Sequence, residues 1–202
     1  MTKTVDFIFD FASPNGYLAH QALKAVATRT GATINLIPCL LGGLFKATNN
    51  QAPMVTFGPV KGKLEYEMLE IRRFIARHEI SRFRMNSNFP INSLVAMRGL
   101  CAVEPGLEFD TYVDAVSAGF WEEQLPMGET EVLTGVLMQA GLDAAAILAK
   151  AQSDVVKARL ADNTSAAVAR GAFGVPTFFL GTEMFFGKER LPQLEEMLGE
   201  HD

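Results

Sequence analysis

Ser13 is the first residue of the chain whose placement could do chemistry. It follows Val5-Asp6-Phe7-Ile8-Phe9-Asp10-Phe11, a run with strand character, and opens Pro14-Asn15-Gly16-Tyr17, which begins a helix. A plain helix cap accounts for the pair, since serine is among the preferred N-cap residues and proline is favoured at the first helical position. The same corner also offers reactivity. A helix N-terminus presents unpaired N–H groups and the positive end of the macrodipole. With a hydroxyl beside them, those groups suit a thiolate or another anion. His20 is on the following helix and no histidine is nearer, so Ser13 reads as a hydrogen-bond donor and not as a covalent nucleophile.

Gly174-Val175-Pro176-Thr177 is the second candidate. Proline is tolerated at the first residue of a strand or on an edge. The sequence leaves the isomer of the Val175-Pro176 bond open, because cis is a minority form. A cis bond would leave the N–H and C=O of Val175 to pair with an extended, peptide-like ligand. Cys39 and Cys101 are too few and too far apart for a disulfide scaffold and read as packing residues. His78 and His201 have no partners at metal-ligand spacing, so no metal is expected.

These residues need elements to position them. Val5–Phe11 reads as a strand, residues 14–30 as a helix stopped by Gly31, and Thr33–Pro38 as a second strand. Parallel strands of such a unit require a right-handed crossover. Gly42-Gly43 leads into a short Leu44-Phe45-Lys46 turn and a polar stretch over 48–59. Helical periodicity then covers 61–78, 93–103, 109–121, 130–140, 144–151, 154–160 and 165–170. Strand character returns at Val175–Leu180 and Glu183–Phe186, and a helix over 190–198 closes the pattern. The expected fold is α/β, β-α-β … β-β-α: a four-stranded mixed sheet interrupted by an all-helical insertion. The sheet unit would comprise residues 1–58 and 163–202 and the insertion 59–162.

Composition narrows the partners. The chain has 202 residues, 49% of them hydrophobic, and a net charge of -5. That balance argues against nucleic acid or anionic membrane as the main partner and leaves small molecules or proteins. MTKTVDF enters a strand at once, and no run reaches the length of a membrane span. A cytoplasmic enzyme is the expectation.

Several ordered motifs together resemble a known family. They are FDFASPNGYLA, Leu41-Gly42-Gly43-Leu44-Phe45-Lys46, Lys61-Gly62, Asn92-Ser93-Leu94-Val95-Ala96-Met97-Arg98, GVPTFF, and Phe185-Phe186-Gly187-Lys188-Glu189-Arg190-Leu191. Their order over nearly the whole chain is similar to the thioredoxin-like DsbA superfamily, and within it to the 2-hydroxychromene-2-carboxylate isomerases and the related kappa-class glutathione transferases. Disulfide oxidoreductases of that fold carry Cys-x-x-Cys where this chain has Ser13-Pro14-Asn15-Gly16. Without those cysteines the usual dithiol exchange is excluded. The resemblance implies instead that the sulfur comes from glutathione.

The energetics agree with that role. Lowering a thiol pKa from about 8.5 by about two units takes roughly 2.7 kcal/mol. A hydrogen bond to a charged group contributes about 1.5–3 kcal/mol and a helix N-terminus about 0.3–1 kcal/mol. The resemblance further implies glutathione contacts at Ser13, Asn50, Lys61, Val175, Pro176, Phe186, Gly187, Lys188 and Glu189. Lys188 and Glu189 depart from the small polar residue and the aspartate of relatives, which changes the reach of the acid toward a γ-glutamyl ammonium. Lys61 reads equally as a solvated charge.

For an aromatic substrate with a pyruvate-like chain, the resemblance points to Lys46 as the cation, with Asn88 and Phe89 closing over the ring. Arg72 and Arg73 read as surface charges, and Phe120 and Trp121 as core. The expected activity is glutathione-dependent isomerisation of 2-hydroxychromene-2-carboxylate to trans-o-hydroxybenzylidenepyruvate, or of a similar acid, in aromatic hydrocarbon catabolism by a homodimer. The alternatives are a kappa-like transferase or peroxidase, and a redox-inactive thioredoxin-fold binding protein.

Overall fold

The computed structural model describes residues 3–199; His201 lies outside the described residues. Its elements are β1 (Thr4–Phe9), α1 (Pro14–Thr30), β2 (Thr33–Pro38), α2 (Leu41–Thr48), α3 (Pro53–Phe57), α4 (Lys63–Arg77), α5 (Leu94–Ala102), α6 (Leu107–Trp121), α7 (Thr130–Gln139), α8 (Ala144–Ala151), α9 (Asp154–Ala169), β3 (Thr177–Leu180), β4 (Glu183–Phe186) and α10 (Leu191–Gly199). A 3₁₀ turn over Lys188–Arg190 precedes α10.

The sheet order is β2-β1-β3-β4. β1 and β2 run parallel, whereas β3 is antiparallel to both β1 and β4. The mixed sheet thus joins the two ends of the chain, because β1 pairs with β3 across the helical insertion. Strand alternation sends Phe7, Phe9 and Phe178 to one face and Ile8 and Phe179 to the other. The first face packs on α1, α10 and the helical block. The second packs against Cys39, Leu44, Ala167 and Val175. Trp121 and Phe120 are buried, and the Trp121 Nε1–H donates to Phe11 O at 2.8 Å, tying the insertion to the end of β1.

Three local details differ from the sequence expectation. β1 stops at Phe9 because the Asp10 carboxylate turns inward to accept backbone N–H groups. The expected Leu44-Phe45-Lys46 turn is a full helix, α2. The expected helices over 154–160 and 165–170 are one continuous α9. Its polar middle finds partners without breaking the helix: Thr164 donates to Leu160 O at 2.7 Å, and Asn163 Nδ2 donates to Pro38 O at 3.1 Å.

Candidate active site

Ser13 caps α1 with extended backbone, φ -94° and ψ 112°. Its Oγ accepts from Gly16 N at 2.9 Å and donates to Val175 O at 3.1 Å. Its own N–H donates to Asp10 O at 3.1 Å. The hydroxyl is therefore held between the first turn of α1 and the loop before β3, 162 residues away in sequence. Val175–Pro176 is cis. The Val175 N–H makes no hydrogen bond to a described residue, while Gly187 N donates to Pro176 O at 2.9 Å. Gly16 permits the close approach of the two segments: a Cβ there would lie 3.0 Å from Val175 Cγ1 and 3.1 Å from Ser13 Cβ.

Beneath the corner sits Asp10, fully buried. Its Oδ1 accepts from Ala12 N at 2.9 Å and its Oδ2 from Leu41 N at 2.7 Å. Burial pushes its carboxyl above the ordinary 3.8, opposed by hydrogen bonds from Leu41, Ser93 and Ala12. One carboxylate thus pins the starts of α1, α2 and α5. Sequence reasoning missed it. The only local signal was an acid between Phe9 and Phe11 where an apolar strand was ending.

His20 offers no base to this corner. It packs between Phe7 and Phe9, with ring centroids at 6.0 and 5.7 Å, and burial lowers its pKa to about 4. The cysteines are equally inert: both are free and buried, and burial pushes Cys39 up to about 12 and Cys101 to about 11.

The chain that builds this corner has counterparts among known proteins over nearly its whole length. The DSBA-like thioredoxin domain model matches residues 4–199. A 2-hydroxychromene-2-carboxylate isomerase from Pseudomonas putida is 32% identical over 197 residues, covering 96% of this chain and 94% of the relative. The chain belongs to the 2-hydroxychromene-2-carboxylate isomerase family, with a DSBA-like thioredoxin domain. A solved 2-hydroxychromene-2-carboxylate isomerase structure superposes with a TM-score of 0.84 over 97% of this chain and 94% of that one, at 32% identity. Glutathione S-transferase kappa 1 from Rattus norvegicus is more distant, 27% identical over 98% of this chain and 92% of its own.

Within this isomerase-family fold the remaining candidates fall into three groups. Phe186, Gly187 and Asn50 gather around the Phe173-Gly174 segment. Phe186 packs at a tilt on Phe173, ring centroids 4.4 Å apart, Asn50 Nδ2 donates to Phe173 O at 2.9 Å, and Gly187 has the positive φ of 96° that suits glycine. Lys188 is buried, its ammonium paired with Glu189 and 5.5 Å from the Phe74 ring, while Glu189 stays half exposed. Lys61 is exposed.

The second group lies against the helical block. Asn88 N and Nδ2 both donate to Asn86 Oδ1, at 2.9 and 3.0 Å, and Phe89 packs on Trp121 at 6.0 Å. Beside them Tyr17 donates to Glu122 at 2.9 Å and Arg82 pairs with Glu122 at 2.5 Å. Arg72 and Arg73 are exposed, the latter paired with Glu70. Lys46 stands apart, on a groove between α2, α5 and α9 that Ser13 does not line. Among the described residues no His, Cys, Asp and Glu side chains gather as metal ligands, and no helix is long and apolar enough to cross a membrane.

Proposed function

We propose that the chain is a glutathione-dependent isomerase of 2-hydroxychromene-2-carboxylate or a similar aromatic pyruvate-type acid, acting in aromatic hydrocarbon catabolism. The observation that carries this reading is the Ser13 hydroxyl shared between Gly16 N and Val175 O at a corner without cysteine. The corner fits a cysteinyl thiol: Val175 has an unengaged N–H, and its C=O is occupied only by Ser13. Bound glutathione would supply a thiolate that adds reversibly to the conjugated acid and is regenerated at each turnover.

The chain's own part is one exchange of hydrogen bonds. Pairing of the cysteinyl N–H with Val175 O releases the Ser13 O–H, which turns onto the sulfur while Gly16 N–H holds Oγ in place. Asp10 keeps the corner's backbone fixed during this exchange. Pro176, Phe186, Gly187 and Asn50 shape the adjoining loop, and Glu189 takes the γ-glutamyl ammonium in partial exchange for Lys188. Lys61 meets a terminal carboxylate. Asn88 and Phe89 wall the aromatic ring. We also assign this enzyme to the cytoplasm, in keeping with two free thiols.

Ser13→Ala tests the reading. Turnover should fall at least about a hundredfold, in line with loss of a hydrogen bond to a charged group of about 1.5–3 kcal/mol together with lost alignment. Stability should fall by about 0.5–2 kcal/mol because the cap is lost. Near-normal turnover by folded variant would overturn the role of Ser13. The kappa-class relatives favour a second reading, glutathione transfer. Net consumption of glutathione during turnover would select it.

A further inference from the structure

The groove that holds Lys46 has a charge pattern opposed to that of the whole chain. The protein carries 23 acidic and 18 basic residues. Yet this groove, of about 620 Å³, is lined by three cations, Lys46, Arg98 and Lys157, and by no carboxylate. Lys46 and Arg98 make no ion pair or hydrogen bond with any described residue. Lys157 has only a loose contact with Asp154, 3.6 Å away and with its side chain in full solvent. Three like charges around one concavity repel one another, and only the loose, solvent-exposed Asp154 stands against them.

The groove is also built, not merely left open. Its walls come from three elements far apart in sequence: α2 gives Lys46, α5 gives Arg98 and α9 gives Lys157. Gly43 sets their spacing, since a Cβ there would lie 3.0 Å from Thr164 Cγ2 of α9. Thr164 in turn accepts from Leu40 N at 3.0 Å, locking the start of α2 onto α9. The uncharged lining is largely aliphatic, with Leu40, Leu94, Leu160 and Val168. An apolar body with a small number of placed polar groups is the usual make-up of a small-molecule site.

We propose that this groove is a binding site for an amphipathic organic anion, an aryl or long alkyl carboxylate. Its apolar body lies on the leucines, and its oxyanion is read by Arg98 with Lys46 and Lys157. Arg98 is the natural anchor, because its planar fork matches a carboxylate bidentately and it is half-buried against the leucine wall. An inorganic anion alone would leave the aliphatic wall unused, and a neutral aromatic would leave the cations unpaired. The same chemistry has two sources, the isomerase's own acidic substrate or a separate organic acid. The proposal needs no glutathione, so it stands or falls apart from the proposed catalytic reading.

The test is calorimetric titration of the full chain with 2-naphthoate, without glutathione, alongside its uncharged analogue 2-naphthamide. Naphthoate should bind, weaken as salt is raised, and outbind naphthamide at least tenfold. Arg98→Leu should lose about tenfold or more in naphthoate affinity, and Lys157→Leu less, with circular dichroism unchanged. Competition with the acidic substrate in a turnover assay would identify that substrate as the occupant. Non-competitive behaviour would identify a separate acid. Equal binding of naphthoate and naphthamide, or unchanged affinity in folded Arg98→Leu, would overturn the proposal, as would no binding of naphthoate.

Discussion

Ser13 and Asp10 divide the work of the corner between display and support. Ser13 presents its hydroxyl between two segments, whereas Asp10 spends both oxygens on backbone N–H groups of Ala12 and Leu41. Asp10→Asn would turn one acceptor into a donor facing a buried donor, so stability should fall by about 1–3 kcal/mol. Its pH dependence has a definite sign. Because burial raises the native Asp10 carboxyl above 3.8, the unfolded chain gives up this proton first as pH rises. Wild-type stability from this group therefore declines as pH climbs from about 4 toward the raised native value. The stability gap between wild type and Asp10→Asn, followed by urea unfolding, should be widest in acid and narrow toward neutrality. A gap that widens with pH would show that Asp10 is not held as a raised, buried acid.

At the scale of elements, α1 and the loop before β3 meet at Gly16 and Val175, where there is no room for a methyl group without a shift. Gly16→Ala gains up to about 1 kcal/mol in helix propensity and pushes Val175 away from Ser13. Thermal unfolding should thus change little while turnover drops several-fold, a split measurable on one preparation. Much of this architecture was legible beforehand. Period-two runs gave β1 to β4, the N-cap pair gave the start of α1, and the ordered motifs gave the family. What escaped had partners distant in sequence. Asp10 draws on Leu41 and Ser93. Lys188 is buried because the ring of Phe74, 114 residues earlier, receives it beside the adjoining Glu189. Gly42-Gly43 resembled a turn, and only the close approach of Gly43 to α9 shows why glycine sits inside a helix there. The two helices expected over 154–160 and 165–170 are joined through a polar middle whose side chains bond back to α9 itself or across to Pro38.

For the whole molecule, the apolar surface is uneven. Met54, Val55, Val60 and Tyr66 are all more than half exposed, and all lie on or beside α3 and α4. α3 has no buried residue of its own. We propose that a second copy packs over this surface, which would give the homodimer that the sequence resemblance implies. Light scattering should return twice the monomer mass for wild type and a shift toward monomer for Val55→Asp. A monomeric wild type would contradict that assembly.

In the proposed function, Ser13 makes a thiolate of a thiol it does not own. Ultraviolet absorbance at 240 nm, followed against pH with glutathione bound, reads that ionisation directly. In wild type the bound thiol should ionise about two units below the free value of about 8.5, and in Ser13→Ala most of that shift should vanish while glutathione stays bound. An equal thiol pKa in the two proteins, or no lowering in wild type, would contradict the claim.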